Sequence, residues 1–129
     1  MRDVEFTVKE DAWDNDDIQY AFGNNSLGER LKDIESIVAE VAGENDGYDW
    51  HWILKMKDGT FSYATVGCDY TGWDCQSNAS IADGFKTPED AINIIEISEF
   101  DSRKKIKECL LGQIKGTIPF AIYQENIGD

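Results

Sequence analysis

The chain has 129 residues, with 26 acids against 12 bases and a formal net charge of −14. That length suits one domain, residues 1–129, and 41% hydrophobic with 12% aromatic side chains is too rich in core-forming groups for a disordered protein. The charge repels nucleic acid and anionic membranes, no apolar run approaches the roughly 18 residues of a membrane span, and the N-terminal MRDVEFTVKEDAW lacks a signal-peptide pattern, so a cytoplasmic protein is expected.

Val4, Phe6 and Val8 alternate with Glu5 and Thr7, which predicts a short strand. An acidic stretch follows, Glu10 to Asp17, with Trp13 embedded. Ile18 to Gly23 fits a short helix or a strand equally. Ser26-Leu27-Gly28-Glu29 reads as a capping box. After it Leu27, Leu31, Ile34, Val38 and Val41 recur at spacings of four and three, one apolar stripe of a helix over about 27–42. Gly43 is the expected left-handed stop.

The stretch of about 50–67 reads as a β-hairpin. Trp50 to Lys57 and Thr60 to Gly67 flank Asp58-Gly59, which suits a two-residue type I′ turn. That turn would set Met56 against Phe61, Leu54 against Tyr63, Trp52 against Thr65 and His51 against Val66. Trp50, Trp52, Leu54 and Met56 then form the core side. Cys68 to Ser80 is a loop of Gly, Asp, Asn and Ser holding Tyr70 and Trp73.

Thr87-Pro88-Glu89-Asp90 opens a helix: Thr as cap, Pro in the first turn, acids at the positive end of the dipole. It is expected over about 88–96. A last helix, about 102–114, carries Ile106, Leu110 and Ile114 on one side, and Ile118 to Tyr123 closes the fold as a short strand. The order predicts an α+β domain: a small antiparallel sheet around the hairpin, packed by about three helices.

Chemistry is sparse. Cys68, Cys75 and Cys109 form an odd count without a secretory signal, the pattern of reduced thiols. Cys68 and Cys75 lie seven apart, too far for the paired-cysteine spacing of a zinc site. With the lone His51 they leave a metal or enzymatic site as one alternative, but ordinary side chains are the simpler account, and neither metal nor cofactor is expected. No nucleophile elbow, Walker A loop, dinucleotide fingerprint, HExxH or EF-hand loop is present. The expectation is a binding protein, not an enzyme.

The acids are unevenly spread. Residues 1–17 hold seven acids and two bases, as do residues 27–50, and residues 87–102 hold five acids and no base. Carboxylates spaced along one face can imitate nucleic-acid phosphates and occupy a basic channel. The residues expected to meet such a partner are Asp11, Asp14, Asp16, Asp17, Glu44, Asp46 and Asp49, with Trp13 as an aromatic anchor. Arg103 to Lys107 is a basic run, read as a solvated helix face.

The segment Gly67-Cys68-Asp69-Tyr70-Thr71-Gly72-Trp73-Asp74-Cys75-Gln76-Ser77 is distinctive. With Trp52, Asp58-Gly59 and Phe61 to Ala64, it resembles a family of small uncharacterised proteins of phages and bacterial mobile elements, over roughly residues 50–80. The resemblance carries no catalytic residues. It implies, by analogy, a counter-defence inhibitor of the anti-CRISPR type, whose partner is the basic surface of a bacterial nucleic-acid-binding protein such as a CRISPR effector. An immunity protein that neutralises a nuclease toxin uses the same electrostatics and is the second reading.

Overall fold

The computed structural model describes residues 2–3, 26–42, 49–67, 80–95, 103–118, 120 and 122–123. In chain order these form β1 (Arg2–Asp3), a 3-10 helix (Ser26–Asp33), β2 (Ile34–Ala42), β3 (Trp50–Met56), β4 (Phe61–Val66), β5 (Ser80–Phe85), α1 (Pro88–Ile92), α2 (Arg103–Lys115) and β6 (Ile122–Tyr123). Strands β2 to β5 make an antiparallel meander in chain order. The outer edge of β2 is extended by two short strands, β1 antiparallel at Ser36 and Ile37 and β6 parallel at Val41 and Ala42. The expected α+β class holds, with two α-helices among the described residues where three were expected.

The missing helix is the one expected over 27–42. The capping signal at Ser26 does open a helical segment, but it is a 3-10 helix that ends at Asp33. From Ile34 the chain is strand. Ile34, Ile37, Val38 and Val41 are β-branched and stiff, which suits a pleated surface better than a helix. Along β2 every residue except Glu35 and Val38 is buried, because both sheet faces are covered. A strand buried on both sides loses its period-two signature.

The hairpin forms in a register one residue from the expected one. Lys55 pairs with Phe61, Leu54 with Ser62, Ile53 with Tyr63, Trp52 with Ala64, His51 with Thr65 and Trp50 with Val66. The loop therefore has three residues, not two. Gly59 donates to the Met56 carbonyl (3.0 Å) and Met56 to the Thr60 carbonyl (2.8 Å), while Gly59 takes φ +90°. A turn closed by a left-handed glycine is the usual three-residue solution. Asp58 caps it, accepting from the Thr60 amide (2.9 Å) and hydroxyl (2.6 Å).

This one-residue shift sorts the aromatic side chains between two cores. Trp50, Trp52, Leu54 and Met56 do share a buried face, but with Ile34, Ile37, Ala42, Ala64 and Val66, packed by Leu31, Ile81 and Phe120. Phe61 and Tyr63 move to the opposite face with Ile53, Ala39 and Val41. There they meet Ala91 and Ile92 of α1, Ile95, and Ile106 and Leu110 of α2.

Both α-helices start where expected. Thr87 accepts from the Asp90 amide (3.1 Å) ahead of Pro88, and α1 ends at Ile92, four residues early. Helix α2 ends in a Schellman cap. Gly116 at φ +80° donates to the Gln113 carbonyl (3.3 Å) and Thr117 to the Gly112 carbonyl (2.9 Å), which satisfies carbonyls the helix would leave open. The expected strand from Ile118 is confined to Ile122–Tyr123. Strand β5 falls in a stretch that sequence reasoning left unassigned beyond Ser80. The predicted strand over Val4 to Val8, the Ile18 to Gly23 element and most of the Cys68 to Ser80 loop lie outside the described residues.

Candidate functional site

Of the residues expected to contact a partner, Asp49 alone is described. It is exposed and directly precedes β3. Asp11, Trp13, Asp14, Asp16, Asp17, Glu44 and Asp46 lie outside the described residues. The ends of the stretches that hold them are described. The chain leaves the sheet at Ala42 and rejoins it at Trp50, across the stretch of Glu44 and Asp46. It leaves again at Val66 and rejoins at Ser80, at the same end of the meander, because Val66 pairs with Trp50 and Thr65 with Ser80. Tyr123, paired with Ala42, also ends there. By contrast, the chain leaves β1 at Asp3, opposite Ser36, and rejoins through the 3-10 helix that leads into Ile34, towards the other end.

The described residues carry eleven acids and eleven bases, so they are neutral; the remaining fifteen acids and one base, Lys9, carry the whole surplus. At the Ala42–Trp50 end, Asp49 adjoins the exits of stretches that hold Glu44, Asp46, Asp69, Asp74, Glu125 and Asp129 and no base. Within the sheet the acids are matched. Asp33 and Asp83 flank Arg30, and Glu35 lies 3.1 Å from Lys55. Glu40 is buried and accepts from the Trp52 indole N–H at 2.9 Å. The acids of residues 27–50 thus do not form one outward face; two of the seven, Asp33 and Glu35, are held by ion pairs and a third, Glu40, lies in the core.

Glu40 sits at a structural junction. Its backbone N–H donates to Gln113 Oε1 and its carbonyl accepts from Gln113 Nε2, both at 2.9 Å. Residue 40 falls between the positions where β1 and β6 pair with β2. The Gln113 amide has the same donor and acceptor pair as a peptide unit, so it serves β2 there as a strand would.

At the opposite end of the sheet, a cleft of about 590 Å³ lies between the 3-10 helix, the hairpin turn and β5, lined by Arg30, Asp33, Met56, Lys57, Asp58, Thr60, Asp83 and Gly84. Arg30 grips Asp83 with both terminal nitrogens (2.9 and 2.8 Å) and reaches Asp33 through Nε (3.3 Å). Ser62 donates to Asp83 at 2.9 Å. The Arg30 hydrogen bond, then that of Ser62, holds the Asp83 carboxyl below its ordinary range, and the same pair pushes the Arg30 guanidinium further up. The Thr60 hydroxyl and amide lower Asp58.

His51 pairs with Thr65, not with Val66 as expected. It is buried, with Nδ1 2.7 Å from the Tyr63 hydroxyl and its ring stacked on Tyr63 at 13°. It does lie on the face opposite Trp50 and Trp52. Cys68 and Cys75 lie outside the described residues, and among the described residues no three His, Cys, Asp or Glu side chains gather to hold a metal ion. Cys109 is half-buried on α2, where burial and then Glu108 raise its thiol pKa. In the basic run, Lys104 is exposed, Ile106 is buried and Lys105 and Lys107 lie between.

Sequence reasoning missed the Arg30–Asp83 and Glu40–Gln113 pairs. Their members stand 53 and 73 residues apart, and nothing local announces either. Among the described residues no helix is long and apolar enough to cross a membrane. No family model, no curated protein and no solved structure matches the chain.

Proposed function

We propose that this protein is an acidic inhibitor, encoded by a phage or mobile element, that docks on the cationic surface of a bacterial nucleic-acid-handling protein and keeps its nucleic acid out. The observation that carries the reading is the net charge of −14 together with exposed Asp49 at the end of the sheet where the chain leaves and rejoins through stretches that hold Glu44, Asp46, Asp69 and Asp74 and no base. Clustered carboxylates steer a basic surface from beyond contact. The resemblance of Cys68 to Ser77 to phage and mobile-element proteins supports the biological setting, and a CRISPR effector is the partner class it suggests.

The contact is assigned to Glu44, Asp46 and Asp49 at the Ala42–Trp50 end, joined by Asp11, Asp14, Asp16 and Asp17 with Trp13. Capture of partners from bacterial lysate on immobilised protein tests this, using wild type, Glu44/Asp46/Asp49→Lys and Asp14/Asp16/Asp17→Lys. A nucleic-acid-binding protein retained at low salt, released as ions screen the contact and captured about tenfold less by a charge-reversed variant is the expected result. Capture that ignores both salt and charge reversal overturns the reading.

A further inference from the structure

We draw no further inference here: the strongest candidate, the polar cleft between the 3-10 helix, the β3–β4 turn and β5, carries nothing because Arg30 is held by Asp83 and Asp33, and Asp58 by Thr60, and among the described residues no unpaired buried group aims into it to show what it would bind.

Discussion

The sheet-and-helix framework and the stretches that join it solve different problems with the same residue types. In the framework, eleven acids face eleven bases, and several acids have defined jobs. Asp83 locks the 3-10 helix to β5 through Arg30, Asp58 closes the hairpin turn, and Glu40 satisfies the Trp52 indole inside the core. The remaining residues of the chain hold fifteen acids and a single base. Asp83, Asp58 and Glu40 matter through geometry and are replaced at a cost to folding. In the second group a carboxylate matters through its contribution to a field, which any neighbouring carboxylate can share.

The two groups should therefore fail in different experiments. The largest loss falls in the framework. Trp52 is fully buried between β2 and β4 and bonded to Glu40, so Trp52→Ala is expected to cost about 3–5 kcal/mol in urea unfolding. A loss under about 1 kcal/mol would mean that the Trp face is not a packed core. Next comes Gln113→Leu, which keeps the volume but leaves the Glu40 N–H and C=O without their amide partner. About 2 kcal/mol is expected, with faster amide exchange at Glu40 and β6 loosened from β2. Unchanged exchange at Glu40 would remove the role given to Gln113.

A smaller effect separates charge geometry from charge number. Asp83 has a depressed folded pKa, so its stabilisation is present above the unfolded carboxyl value near pH 4 and disappears as pH falls through the lower folded value. The pair is partly exposed, which limits it to under about 1 kcal/mol. Asp83→Asn should thus be less stable than wild type at pH 7, and the gap should close as pH falls through the lowered folded value. A gap that persists in acid would place the effect in packing, not in the ion pair. The smallest change is expected for Asp14/Asp16/Asp17→Lys. Its unfolding free energy should stay within about 0.5 kcal/mol of wild type while capture falls. If the reversal unfolds the protein, those acids belong with the framework and the division made here is wrong.

What was legible in the sequence was local chemistry. Asp58-Gly59 announced the hairpin, Thr87-Pro88 announced α1, and Ile106, Leu110 and Ile114 announced α2. Each rests on backbone preferences or one-sided burial that act within a few residues. Strand β2 was misread because Leu27, Leu31, Ile34, Val38 and Val41 satisfy a helical stripe, while burial on both faces removed the alternation that would have exposed it as strand. Strand β5 hides for the opposite reason. Ser80-Ile81-Ala82-Asp83-Gly84-Phe85 mixes exposed and half-buried positions without a period and includes Asp and Gly, both disfavoured in strands.

By itself the sequence determined the charge, the turn positions and the start of each α-helix, since these depend on composition and on contacts between near neighbours. Tertiary structure alone decided the hairpin register, the identity of β2 and which acids are paired. Asp58-Gly59 serves a two-residue or a three-residue loop, and the choice falls to whichever register buries Trp50, Trp52, Leu54 and Met56 on one face while sending Phe61 and Tyr63 to the helices on the other. That choice is made by packing summed over the whole sheet, and no window of neighbouring residues contains it.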